Sequence, residues 1–339
     1  MSTLIVVDNE KHRKNEAYYK SLTDGCEVYY TEYEDGWIRK VRNYKFIGSF
    51  LYHVLMWLKS YRYAAQIFKE EYENVVCLNP LVGIFLGVKN KNKKLRLTLS
   101  GFLFEEKKNK LYYALRKKLV QKMLKNTETV VVYSSQEIRY YAKIFPEFKD
   151  KFVFTQFGLD YDHTENYSGK LPDKFIFSGG GSNRDYGTLV STVEMNHLTI
   201  PCVIATQPWR VPKHSEKVIV LSDVVVETFG HVMSKSQLLV LSLKDVELSA
   251  GHMVMLQALQ LGIPILVNDI PAVRDYVDED IVTFYPSGNI EILNKSIVDL
   301  IENKDSTELQ TRLEKGRELY QSEYTSKALM KRLVEIANV

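Results

Sequence analysis

Short runs of aliphatic and β-branched residues alternate along the chain with longer stretches in which apolar residues return every three or four positions. The short runs predict strands at 4–7, 26–30, 75–78, 95–99, 129–133 and 152–155, then at 174–177, 202–205, 218–221, 238–241, 265–267 and 281–285. The longer stretches predict helices near 10–21, 43–72, 105–125 and 135–144, then 185–196, 225–235, 251–261, 271–277 and 289–302. Strands that alternate with helices are the pattern of βαβ units and of parallel sheets.

Periodicity fades over 157–174, "FGLDYDHTENYSGKLPDK", where Gly, Asp, Asn, Ser and Pro gather. A linker there divides the chain into two α/β halves of similar strand content. The prediction is two Rossmann-like, doubly wound domains, residues 1–165 and 166–324, facing one another across a cleft. The tail is helical with a break at "SEYTS" (322–326), so a last helix, 325–339, is expected to cross back and complete the first domain.

Composition narrows the class. With 339 residues, 45% hydrophobic and 26% charged, the chain is long and apolar enough to fold without a disulfide or metal staple. Cys26, Cys77 and Cys202 are far apart and in no CxxC or Cys/His arrangement, which points to a reducing compartment and away from zinc or any other metal. The opening "MSTLIVVDNE" reads as a strand and not a signal peptide, because no basic stretch precedes its apolar run. The longest apolar stretch, "FIGSFLYHVLMWL" (46–58), falls short of the ~20 residues that span a bilayer. A cytoplasmic protein is expected.

A net charge of +3 is too mild to argue for nucleic acid. Lysines nevertheless crowd 89–94 and 105–125, and the second segment interleaves Leu111, Tyr112, Leu115, Leu119, Met123 and Leu124 with Lys and Arg. Two readings fit: a helix that buries one face on its sheet, or an interfacial helix drawn to anionic lipid on the inner face of the membrane.

Candidate chemistry follows from the rule that ligands bind beyond the carboxyl ends of parallel strands. "FIFSGGGSNRDYGTLV" (175–190) runs a strand into Gly179, Gly180 and Gly181 and then into a helix, the layout of a phosphate loop. Arg184 stands where a dinucleotide fingerprint needs its third glycine, and the Lys-Ser/Thr pair of a P-loop is missing. What is left is a permissive turn with a guanidinium five residues after Gly179, suited to phosphate oxygens. The plainer alternative is a tight turn with Arg184 paired to Asp185 or another surface carboxylate. In "VELSAGHMVMLQALQLGIPILVND" (246–269), Ser249 stands at a plausible N-cap, Ala250 and Gly251 are small, and the helix ends at Gly262. A helix N-terminus free of bulky side chains directs its amides at an anion. Two such loops on one sheet edge suit a diphosphate.

Together "FIFSGGGSNRDYGTLV" and "LSAGHMVMLQALQLGIPILVNDIPAVRDYV" resemble the nucleotide-binding C-terminal domain of GT-B glycosyltransferases, the family 4 type in particular. The family pattern is a Gly-Arg turn with a basic residue five positions on, then Glu-Gly-Phe-Gly with a second glutamate eight positions after the first, then Ala and Gly-x-Pro-Val. The resemblance covers roughly residues 150–300; over the first half it rests on strand and helix order. It implies that Arg184 holds a donor diphosphate and that Ser249, Ala250, Gly251, His252 and Met253 form the loop around the phosphates and donor sugar. It also implies that Gln257 bonds the ribose, and that Trp209 and Arg210, after the strand "PCVIA", lie where the base is gripped. Three positions depart from the pattern: Gly179 replaces the motif's arginine, Ser249 the first glutamate and Gln257 the second.

Around these, Glu247 and Asp245 are placed to orient donor hydroxyls, while acidic residues near a helix start are also ordinary dipole partners. His252 faces either the donor or solvent. Arg274 with Asp275 reads as a loop fastener. In the first half Asp8, Asn9, Asn79, Ser134 and the "LTLSGF" turn with Ser100 and Gly101 lie at strand ends, and that turn is the expected acceptor-side loop. His53 reads as a satisfied side chain of its apolar helix.

The expectation is a cytoplasmic glycosyltransferase that moves a sugar from a nucleotide-diphosphate sugar, its substrate, to a hydroxyl of a saccharide or lipid-linked saccharide. Arg184 and the helix N-terminus stabilise the leaving group without a metal or cofactor, and Glu247 assists. Family 4 likeness implies retention of configuration. Two other classes fit the same residues: a GT-B sugar-nucleotide epimerase, and a catalytically silent GT-B subunit paired with an active one.

Overall fold

The computed structural model describes residues 3–7, 22, 23, 25–32, 48–70, 72–106, 109–161, 165–195, 198–244 and 247–338. The predicted helix 10–21, with Asp8, Asn9 and Asp245, lies outside them. The chain divides into two compact units. One comprises Met1–Tyr133, Glu137–Thr155 and Met330–Val339, the other Ser134–Gln136 and Gln156–Leu329.

Unit 1 holds a parallel sheet of β1 (Thr3–Val7), β2 (Glu27–Tyr30), β3 (Asn74–Cys77), β4 (Arg96–Ser100), β5 (Thr129–Val132) and β6 (Phe152–Phe154), in the order β2-β1-β3-β4-β5-β6. β1 and β3 are buried along their whole length, as strands covered on both faces must be. Its helices are α1 (Gly48–Ile67), α2 (Pro80–Lys89), α3 (Lys110–Asn126) and α4 (Ser135–Ile144), the last beginning in the stretch grouped with unit 2.

α1 ends at Ile67, short of the 72 read from periodicity, while 43–47 of that prediction lie outside the described residues; α2 is an element that periodicity missed. "PLVGIFLGVK" is apolar all round and carries two glycines, so it shows no stripe. The glycines are there for contact: a Cβ on Gly83 would sit 2.2 Å from Leu99, and one on Gly87 would sit 2.7 Å from Met123. α2 thus lies directly on β4 and α3. Its N-cap is Asn79, whose side chain accepts from the Leu81 and Val82 amides at 3.0 Å each, so this strand-end residue caps a helix. α1 lies against α2 through edge-on contacts of Trp57 and Tyr61 with Phe85.

Unit 2 repeats the scheme with β7 (Ile176–Gly179), β8 (Cys202–Ala205), β9 (Val218–Leu221), β10 (Leu238–Leu241), β11 (Ile265–Asn268) and β12 (Thr283–Tyr285). All pair in parallel, in the order β12-β11-β10-β7-β8-β9. The helices are α5 (Tyr186–Met195), α6 (Val226–Ser234), α7 (His252–Leu261), α8 (Pro271–Arg274), α9 (Ile290–Glu302) and α10 (Thr307–Glu323). Beyond a break at Tyr324, α11 (Ser326–Asn338) runs from unit 2 into the stretch grouped with unit 1. The core joins β7, β8, β10, β11 and β12 to α5 and α9 through Ile176, Ile204, Val240, Leu266 and Tyr285 packed on Leu189, Val193, Leu293 and Ile297.

The order places a switch point at β7. The chain builds outward through β8 and β9, then returns to β7's other side with β10, so the loops leaving β7 and β10 diverge at neighbouring carboxyl ends. That is where an open α/β sheet holds its ligand. β7 reaches Gly179, two residues past the predicted 177, because Gly179 still pairs with Ala205.

Candidate nucleotide-binding site

The turn after β7 is held from within. Gly180 takes φ +101, a left-handed conformation suited to glycine; its amide donates to Ala205 O at 3.1 Å. Its carbonyl accepts from the Tyr186 hydroxyl at 2.7 Å and from Thr206 Oγ1 at 3.0 Å. Arg184 donates from Nε to Gly179 O at 2.8 Å and from Nη1 to Ser182 O at 2.7 Å. Arg210, in the short 3-10 turn Pro208–Arg210 after β8, donates from Nη1 to Gly181 O. Every carbonyl from Gly179 to Ser182 therefore faces a protein donor, and two of those donors are guanidinium groups.

The alternative pairing of Arg184 with Asp185 is absent. Asp185 accepts instead from the Thr188 amide at 3.2 Å and hydroxyl at 2.6 Å, fixing the start of α5. Among the described residues neither Arg184 nor Arg210 has a carboxylate partner. Burial holds the Arg184 pKa below its usual value, partly offset by Tyr186. Arg184 is half-buried and Arg210 exposed, and both direct their donors at backbone carbonyls.

The loop after β10 meets this turn. Asp185 N donates to Ser242 O at 3.0 Å and Lys244 N to Asn183 O at 2.9 Å, so Arg184 and Leu243 face each other in an isolated antiparallel bridge. Asn268, at the end of β11, bonds both backbone groups of Leu243.

Ser249 does not cap α7. The N-cap is Gly251, at φ +82, which has no side chain of its own to cap the helix. A Cβ on Gly251 would lie 3.0 to 3.1 Å from Leu243 and Leu241, so glycine fits both the dihedral and the space. The amides of the first turn of α7 carry the positive end of the helix dipole.

His252 does not face solvent. It is buried, its Nε2 bonds Ala272 O at 3.0 Å, and its ring stacks on Tyr276 with centroids 4.2 Å apart. A carbonyl accepts only, so Nε2 carries the proton. Burial, reinforced by the charge of Arg184, brings the pKa down to about 4 against the opposing pull of Ala272 O and Asp275. The ring is neutral at pH 7.

Of the other candidates, Trp209 is 79% exposed and Met253 is exposed, Ala250 and Gln257 are buried, Ser249 is half-buried and Glu247 exposed. Arg274 pairs with Asp269 at 2.7 Å and Glu279 at 2.6 Å and lies over the Phe284 ring, a fastening role. In unit 1, Ser100 is wholly buried with Oγ 2.5 Å from the Tyr133 hydroxyl, and Gly101 follows at φ +72. Sequence reasoning missed Tyr186, Thr206, Asn268 and Tyr276. Each lies next to a motif residue, in the pairs Asp-Tyr, Ala-Thr, Val-Asn and Asp-Tyr, and none has a spacing that marks it.

The chain has the two-domain α/β GT-B fold. Three solved structures share it along nearly their whole length. They are a glycosyltransferase from Rickettsia africae ESF-5 (13% identity, 99% of this chain and 97% of that one, TM-score 0.66), Anabaena HepE with UDP-glucose (10%, 100% and 99%, 0.66) and sucrose-phosphate synthase from Thermosynechococcus elongatus (12%, 100% and 98%, 0.65). No protein-family model matches the chain, and no curated protein matches it in sequence.

Proposed function

We propose that the chain is a glycosyltransferase that transfers a sugar from a nucleotide-diphosphate donor to a hydroxyl of a saccharide or lipid-linked saccharide, in polysaccharide or glycoconjugate synthesis. The observation that carries this reading is Arg184, a half-buried guanidinium bonded to backbone carbonyls, without a carboxylate partner among the described residues and placed at the switch point. HepE, a neighbour in fold, has been seen with UDP and with UDP-glucose.

In this reading the donor diphosphate lies against Arg184 and the amides of α7, Gln257 bonds the ribose, and Trp209 covers the base. Glu247 orients the donor sugar. As the glycosidic bond breaks, charge grows on the diphosphate, and preset donors stabilise it without reorganisation; this needs no metal. Retention of configuration, an acceptor turn at Ser100 and Gly101, and a cytoplasmic location beside an anionic membrane complete the proposal. No described helix is long and apolar enough to cross a bilayer.

Thermal shift against UDP, GDP, ADP and CMP tests it. A nucleoside diphosphate should raise the melting temperature, and no response to any of them would overturn the donor-site assignment. Slow hydrolysis of the matching sugar nucleotide is expected of a transferase; binding without hydrolysis would favour a silent subunit, the reading that Gln257 and the lack of a histidine in the "LTLSGF" turn keep open.

A further inference from the structure

We infer that Arg210 is the second cation of the phosphate site, so that the site selects a diphosphate over a monophosphate. The inference rests on the nucleotide-sugar reading above and moves Arg210 from the base to the phosphates. Its ground is the shared turn: Arg184 binds the carbonyls of Gly179 and Ser182, and Arg210 binds the carbonyl of Gly181 between them.

The Arg210 guanidinium carbon would lie 3.4 Å from a Cβ on Gly181, and the Arg184 Nη2 would lie 2.5 Å from a Cβ on Gly180. Both positions are glycine, so nothing projects from the turn between the two groups. Tyr186 sits between them electrostatically: each guanidinium pulls its pKa down, against burial that raises it.

Two like charges on one short turn repel. Each arginine spends one or two of its five N–H groups on the turn, which leaves donors for a ligand. With no carboxylate paired to either among the described residues, the arrangement is balanced by an anion that offers oxygens to both. One phosphate presents its oxygens around a single centre, whereas a diphosphate extends along a second one and gives each fork its own pair. Trp209, beside Arg210 and 79% exposed, remains available to a base.

Isothermal titration of the wild-type chain, Arg210→Gln and Arg210→Lys with UDP and UMP, GDP and GMP, and ADP and AMP tests the assignment. For the diphosphate that the wild type binds best, Arg210→Gln should weaken binding by about tenfold or more, the value of a lost charge-assisted hydrogen bond. The matching monophosphate should change by less than about threefold on the same scale, and Arg210→Lys should fall between. Arg210 lies at the surface, and an unchanged circular dichroism spectrum confirms that each variant is folded.

Equal weakening of both members of a pair would return Arg210 to the base or to turn support and overturn the inference. So would an unchanged preference for the diphosphate. Failure of the wild type to bind any of the nucleotides would instead sink the nucleotide-sugar reading itself.

Discussion

Asn268 holds Leu243 by both of its backbone groups, accepting from the Leu243 amide at 2.8 Å and donating to its carbonyl at 3.0 Å. The same side-chain nitrogen also donates to Ser287 Oγ at 2.9 Å. A wholly buried side chain thus stands in for a strand partner where β10 ends, and the segment it fixes is the one bridged to Arg184. Asn268→Ala would leave two buried backbone groups without partners. The expected loss is about 2–4 kcal/mol in urea unfolding, with weaker nucleotide binding as the β10 loop loosens.

Arg184→Ala should remove nucleotide-dependent stabilisation while leaving the chain folded, since the turn keeps its bonds from Tyr186, Thr206 and Arg210. The expected fall in diphosphate affinity is about tenfold or more, and Arg184→Lys should retain part of it. Binding equal to the parent's would remove Arg184 from the site.

Gly179 stands where the family pattern has arginine, and Phe229 explains why. A Cβ at 179 would come within 2.6 Å of the Phe229 ring and 3.3 Å of Ala205 O. Gly179→Ala should therefore cost about 1–3 kcal/mol by overpacking, and Gly179→Arg should not improve binding. Adding Phe229→Leu should recover part of the loss; strictly additive effects in the double variant would show that the ring is not the obstacle.

His252 should make stability depend on pH. Its folded pKa, about 4, lies below the usual 6.5, so the unfolded chain takes up a proton that the folded chain refuses. Its contribution is complete above 6.5, is lost as the pH falls toward 4, and levels off below that. The total is about 3 kcal/mol. In His252→Phe, which keeps a ring against Tyr276, urea midpoints between pH 7 and 4.5 should fall less steeply than in the parent.

The first turns of α3 leave Leu111 and Leu115 exposed at 71% and 60%, among lysines, while Val120, Met123 and Leu124 further along are buried. The buried end of the helix fits the packed reading of this segment, and the exposed end is the part on which an interfacial contact can be tested. The wild type should sediment with phosphatidylglycerol vesicles and not with phosphatidylcholine alone. Leu111→Ser with Leu115→Ser should cut that binding several-fold, as expected when apolar insertion accompanies lysine attraction. Binding unchanged by the double substitution would discard this face as a membrane contact.

Strand positions were legible because buried parallel strands are short apolar runs between turn residues: 202–205, 218–221 and 238–241 were read as they stand. α2 was not, since a helix whose residues are apolar on every face, though only Val82, Gly83, Leu86 and Gly87 are buried, has no polar face to set a period. At the site, glycines and arginines announced themselves by type. Ser249 misled because a serine before a helix is a cap only if the helix begins beside it, and the clearance beside Leu241 and Leu243 that moved the start to Gly251 is a tertiary fact. Asn268 had no local signature: its partner lies in a different βα unit.

The Rossmann order of unit 2 also bears on how this chain is made. β7, the central strand that carries the glycine turn, gains its second neighbour only when β10 is laid down, after two further strand and helix units. A parallel sheet has no hairpins to hold such a strand meanwhile. On the ribosome the glycine turn would therefore emerge long before the bridge that fixes it, and would take its final shape only after β10 is made.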